Sequence, residues 1–125
     1  MSELTENLEQ IAERLRQTMA AKDSVRERIL PLCREVIRHS AQAIRAIHRQ
    51  EFDQAEQLLL SARNLLATAN QNAATFDDLS GTGFLRDARK ELAEGNITLT
   101  VVTGKPLPQP EDLGVDPAAY LNGMG

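Results

Sequence analysis

Apolar residues spaced three and four apart recur along most of the chain, and that one period excludes most architectures. Val25, Ile29, Leu32, Val36, Ser40, Ala43 and Ile47 mark one such stripe. Ala55, Leu58, Leu59, Ala62, Leu65, Leu66 and Ala69 mark a second, and Leu4, Leu8, Ile11, Ala12, Leu15 and Met19 a third. A stripe of this period is the buried face of an amphipathic helix, whereas a strand would alternate every two residues. The pattern predicts helices over residues 4–20, 24–49, 53–72 and 84–102. Between the first two, Lys22-Asp23-Ser24 reads as a polar break, with Asp23 or Ser24 capping the helix that follows. Pro31 lies inside the second pattern, where its missing amide predicts a kink. Gln50-Glu51-Phe52 closes that helix. Asp53 opens the next, with Glu56 three residues on in a capping-box arrangement. A short loop between two long helices makes them antiparallel.

The later part of the chain is less uniform. Residues 70–83 are polar, and the run from Asp77 to Gly83 reads as a loop. Phe84, Ala88 and Leu92 share one side of the fourth helix. The run from Ile97 to Thr103 is β-branched, which alone favours a strand, but no other segment offers a partner, so helix is the expectation. A Pro-rich loop at 104–110 stops that element, and a turn of helix is expected around Glu111 to Leu113. Asp116 as cap and Pro117 at the first helical position announce a further helix from about residue 117. The chain ends at Gly125, so this helix has a start and little body. The expected fold class is therefore an all-α antiparallel helix bundle, missing its C-terminal helices, over a single domain 1–125.

Composition narrows the function. A chain of 125 residues can bury a core without staples. Aromatic residues make up 3%, namely Phe52, Phe76, Phe84 and Tyr120. Base-stacking platforms need aromatic faces, so nucleic-acid contact would run mainly to phosphates. The net charge of −4 opposes polyanion binding in sum, yet the arrangement of charge can reverse that locally. Cys33 is the only cysteine, which rules out an intrachain disulfide. The acidic start lacks the features of a signal peptide, and no apolar run approaches the roughly 20 residues of a membrane helix. The expected location is cytoplasmic.

Two constellations stand out. Arg34, Arg38, Arg45 and Arg49 fall within roughly 60° of one another at about 100° per residue, opposite the apolar stripe. Guanidinium groups in such a row can meet successive phosphates. An ordinary solvated face has the same spacing, and Glu27 on that edge or Glu35 nearby could neutralise part of it. On the fourth helix, Asp87, Glu91 and Glu94 are four and three apart, so their carboxylates share a face. Grouped carboxylates suit Mg²⁺ or Mn²⁺, and a metal there could support phosphoryl chemistry. On spacing alone the plainer reading is a set of exposed acids with Arg86, Arg89 and Lys90 beside them as ion-pair partners, and two or three carboxylates are too few for a complete metal site. His39, His48 and Cys33 show no ligand or nucleophile spacing and read as packing or surface residues. Gly81-Thr82-Gly83 lacks the third glycine and the Lys-Ser/Thr pair of a phosphate loop.

Four segments in order carry a family resemblance: Arg34 to Ser40, Ile44 to Arg49, Asp87 to Glu94, and Tyr120 to Gly123. From Arg26 onward the chain resembles the translin and translin-associated factor X family, most closely its prokaryotic branch. The resemblance implies an all-α fold that assembles into barrel-like homo-oligomers, commonly octamers, enclosing single-stranded RNA or DNA. It also implies Mg²⁺-dependent (or Mn²⁺-dependent) endoribonuclease activity in the full-length form, with the Glu-x-x-Glu positions at Glu91 and Glu94. The basic residues along the helices would contact the strand, with Arg34, Arg38, Arg45 and Arg49 as candidates. A non-catalytic nucleic-acid-binding subunit and an inactive helical fragment are the alternatives. Two departures follow. The family usually has alanine where this chain has Gly95, and glycine inside a helix costs about 0.8–1 kcal/mol relative to alanine. After Tyr-Leu-x-Gly the family continues into a helix bearing further acidic ligands, while this chain stops at Met124-Gly125, leaving half of such a site.

Overall fold

A computed structural model describes the backbone from Ser2 to Met124 and the side chains of residues 2–121. The side chains of Asn122 and Gly123, which end the last family-like segment, lie outside the described residues, as does Gly125. The described residues form six helices and no strand: α1 (Ser2–His48), α2 (Phe52–Ala73), α3 (Asp77–Ser80), α4 (Gly83–Thr103), α5 (Pro110–Leu113) and α6 (Pro117–Met124). The all-α class is the one that the period dictates.

The break expected at Lys22-Asp23-Ser24 is absent, and the two helices expected at 4–20 and 24–49 are one. α1 runs unbroken for 47 residues, about 70 Å at 1.5 Å per residue. Polarity alone does not stop a helix. Lys22, Asp23 and Ser24 each cost at most a few tenths of a kcal/mol to about 0.7 kcal/mol in propensity, and none is Gly or Pro. Lys22 is also held from outside, its ammonium 3.0 Å from Asp78 Oδ2 and 5.7 Å from the centre of the Phe76 ring. Pro31 lies within α1 and is exposed, so the Glu27 carbonyl that loses its amide partner can turn to water.

The turn after α1 is tight. Gln50 takes a left-handed conformation, φ 63°, and α2 begins at Phe52 with Glu51 at the cap position. Asp53 is thus inside the first turn, and no side chain caps the helix. Glu56, expected to reach back in a capping box, instead pairs with Lys105 from beyond α4. Three connecting residues force α2 to return along α1. α4 then packs against both, and α6 lies against α4.

The core is built of small side chains. Ala43, Ala46, Ala55, Ala62, Ala69, Ala73, Ala88 and Ala93 are all buried, among Ile29, Val36, Leu66, Leu85 and Leu92. Small residues allow helix axes to approach to the short end of the usual 8–10 Å range. Residues 97–103 are helical despite their β-branching. Thr98 and Thr103 return their hydroxyls to the carbonyls of Glu94 and Leu99, at 2.8 and 2.7 Å, and Gly104 ends the helix at φ 74°. In the segment expected to be a loop, Asp77–Ser80 forms a single helical turn that buries Leu79. At the far end Asp116 Oδ1 accepts from the Ala119 amide at 2.6 Å, and the Tyr120 hydroxyl donates to the Pro108 carbonyl. No helix among the described residues is long and apolar enough to cross a membrane.

Candidate nucleic-acid interface and carboxylate pair

α1 carries the arginine row on the side away from its buried residues. Arg34, Arg38, Arg45 and Arg49 are all exposed, while Cys33, Val36, Ser40, Ala43, Ala46 and Ile47 face the core. Two of the four guanidiniums are occupied. Arg38 donates to Glu35 through Nε at 3.2 Å and Nη2 at 2.5 Å. Arg49, just past the end of α1, donates to Glu51 at 3.2 and 3.1 Å. These pairs hold the Glu35 carboxyl below the usual glutamate value and raise both arginines above theirs. Both pairs are exposed and open to exchange with another anion. Arg34 and Arg45 form no ion pair among the described residues. Glu27, a candidate neutraliser, makes none either.

α4 places the carboxylates. Its buried face is Leu85, Ala88, Leu92, Ala93, Gly95 and Leu99, which leaves Glu91 and Glu94 half-buried at the margin and Asp87 exposed. Glu91 is pushed above the ordinary glutamate value, first by burial and then by Glu94 beside it; Lys90 opposes the shift and Asp87 adds a smaller push. The charges that shift it, Glu94, Lys90 and Asp87, all belong to α4. Among the described residues no three His, Cys, Asp or Glu side chains gather closely enough to hold a metal. Asp87 instead lines a groove with Arg86, Lys90 and Asp116 at the start of α6.

Among the described residues these acids form no ion pair with Arg86, Arg89 or Lys90. Arg89 turns away from them, its Nε and Nη2 donating to Asn70 Oδ1 at 3.1 and 2.7 Å and its Nη1 to the Ser80 carbonyl at 2.8 Å. Asn70 in turn donates to the Gly114 carbonyl at 2.8 Å. Arg89 and Asn70 thus tie α2, the end of α3, α4 and the start of the C-terminal segment together. No spacing or motif marks Asn70 in the sequence; its one signal is a polar residue directly following Ala69 on the inner side of α2.

Gly95, beside Glu94, has a packing role. A Cβ there would stand 2.7 Å from Leu59 Cδ2 and 3.7 Å from the Ser40 carbonyl oxygen. α1, α2 and α4 meet at this point, and the missing side chain lets α4 seat against the other two. The helix runs through Gly95 without interruption, so the loss of propensity is absorbed by packing. Cys33 is buried and its thiol is pushed up to about 11 by that burial, which leaves it without nucleophilic character at neutral pH. His39 Nδ1 sits 2.8 Å from the Glu35 carbonyl oxygen on its own helix.

No family model and no curated protein sequence matches this chain. Among solved structures it is similar to one described as the crystal structure of apo-NeC3PO, with a TM-score of 0.77 at 18% sequence identity. The match covers 90% of this chain and 59% of that one, so this chain spans somewhat more than half of that structure's length. The chain shares the all-α helical fold of that protein, which is the fold that the resemblance to translin and translin-associated factor X implied.

Proposed function

We propose that the chain binds single-stranded RNA or DNA as a translin-type protein, with metal-dependent cleavage of RNA in the full-length form. The observation that carries this reading is the similarity to NeC3PO over 90% of the chain, joined to the family-like Glu-x-x-Glu segment on the helix that this fold seats against α1 and α2. Arg34 and Arg45, on the outer face of α1, supply two unpaired cations for phosphates. Arg38 and Arg49 stay with Glu35 and Glu51 and become available to phosphates only where those pairs are opened.

Glu91 and Glu94 have the right chemistry for a hard divalent cation, since both are oxygen donors held at a partly desolvated margin and each repels the other when ionised. They would hold Mg²⁺ or Mn²⁺, with Asp87 one turn earlier as an outer contributor. A bound cation there would activate a water and offset phosphate charge during hydrolysis of the phosphodiester. The chain's own part is to hold the two carboxylates side by side on one face of α4 and, through Gly95, to seat α4 against its neighbours.

A second reading, binding without cleavage, is favoured by the want of a third close donor among the described residues. One experiment separates them. The full-length form and its Glu91→Ala/Glu94→Ala variant are incubated with end-labelled single-stranded RNA and Mg²⁺, and binding and cleavage are followed together. The proposal expects the variant to keep binding and lose any cleavage. Cleavage that survives the double substitution removes the glutamates from the chemistry. Binding without cleavage by both proteins supports the second reading, and no binding by either overturns both.

A further inference from the structure

Arg34 and Arg45 form no ion pair among the described residues and stand about 16 Å apart along α1. Between them on the axis, α1 and α2 leave an open groove of about 480 Å³. Glu35 and His39 form its α1 wall, and Ser61, Asn64 and Thr68 its α2 wall, with half-buried Leu65 among them. Arg34 is followed directly by Glu35, and Arg38 by His39. One residue turns a helix by about 100°, so the groove flanks the arginine row on the side of α2.

The groove is rich in hydrogen-bonding groups and poor in charge. Its one carboxylate, Glu35, is already held by Arg38. The Ser61 hydroxyl and the Asn64 amide are exposed and bond to no protein group among the described residues. Thr68 donates its hydroxyl to the Asn64 carbonyl at 3.2 Å and keeps its acceptor lone pairs. His39 donates its Nδ1 proton to the Glu35 carbonyl at 2.8 Å, which leaves Nε2 of the neutral ring as an acceptor. A phosphate finds no cation among the lining residues. A neutral planar group with donors and acceptors along its edge finds several partners, and Leu65 offers an apolar contact for its face. The volume falls within the range of about 300–1,000 Å³ of small-ligand clefts, so a nucleobase is not too large for it.

We propose that this groove takes a nucleobase of the single strand whose phosphates lie on Arg34 and Arg45, with Ser61 and Asn64 bonding to the edge of that base. The inference rests on the nucleic-acid reading above and adds a second kind of contact to it. Phosphate contacts fix where a strand lies, whereas contacts to a base edge carry sequence preference. The contact is made through hydrogen bonds to the edge, so the scarcity of aromatic residues does not oppose it. The Asn64 amide presents a donor and an acceptor side by side. On this account α2, which bears none of the arginine row, is the element that senses which base is present.

The Ser61→Ala/Asn64→Ala variant tests the proposal, since both positions are exposed on α2 and the core is untouched. Fluorescence anisotropy compares it with the unaltered chain on two labelled strands of equal length, a mixed-sequence oligoribonucleotide and an abasic strand, in a potassium chloride series. The variant should lose about 5–10-fold in affinity for the base-bearing strand and nothing for the abasic one. The salt slope, which reports phosphates alone, should stay the same. An equal loss on both strands, no loss on either, or an altered slope overturns the groove and leaves the arginine row standing. If the unaltered chain binds neither strand, the nucleic-acid reading falls and this inference falls with it.

Discussion

Releasing Arg38 from Glu35 should change how steeply nucleic-acid binding depends on salt. For single strands the logarithm of affinity falls with the logarithm of salt by about 0.7 per phosphate neutralised. With Arg34 and Arg45 alone engaged, the slope is about −1.4, so affinity drops about 7-fold between 50 and 200 mM salt. Glu35→Gln removes the charge and one of the two acceptor oxygens that hold Arg38 at 2.5 and 3.2 Å, and makes a third guanidinium available. The slope should then steepen to about −2.1, an 18-fold drop or so over the same range. Adding Glu51→Gln, which frees Arg49, should bring it to about −2.8 and roughly 50-fold. Fluorescence anisotropy of a labelled single-stranded oligonucleotide in a potassium chloride series measures all three. Glu111→Gln, an exposed acid on α5, makes the same change in net charge and is the control. If the control steepens the slope as much as Glu35→Gln, or if neither moves it, the arginines of α1 are not where the phosphates sit.

Three further outcomes are expected. Arg89→Met leaves Asn70 Oδ1 and the Ser80 carbonyl without their donor in a half-buried place; urea denaturation should show a loss of about 2–3 kcal/mol. Gly95→Leu drives a side chain into Leu59 and the α1 backbone, and should cost about 1–3 kcal/mol or more in the same assay, against the roughly 0.8–1 kcal/mol that helix propensity returns. Glu91 holds its proton more tightly folded than unfolded, so raising the pH from 4.5 through its higher folded value takes stability away. Glu91→Gln should therefore raise the thermal midpoint at pH 7, with the gain shrinking as the pH falls through the raised folded value towards 4.5 and gone below it, and adding Mg²⁺ should stabilise the unaltered chain but not this variant.

Periodicity made the helices legible because it reports directly which side of each is buried. It could not distinguish a polar stretch that ends a helix from one that merely leaves the core, so Lys22 to Ser24 looked like a boundary. What holds that stretch is Asp78 and Phe76, more than fifty residues away, and local sequence carries no trace of them. The same limit applies to the candidate sites. The faces on which Arg34, Arg38, Arg45, Arg49, Glu91 and Glu94 lie follow from spacing, but their partners do not. Arg89 stands among acids in the sequence and bonds to an asparagine and a carbonyl in space. Gly95 reads as a weakness because propensity is local, whereas the side chain that a Cβ there would crowd, Leu59, belongs to another helix.

The helical continuity of α1 has a mechanical consequence. Ile11 and Arg34 are mounted on one shaft, roughly 35 Å apart along its length, and each intervening residue advances the azimuth by about 100°. Whatever grips the tip is thereby clocked against whatever lies along the guanidinium row. Deleting a single residue near Ala21 would shorten the shaft by only about 1.5 Å yet rotate the tip by more than a quarter turn. Phase, far more than reach, is the quantity this rod transmits.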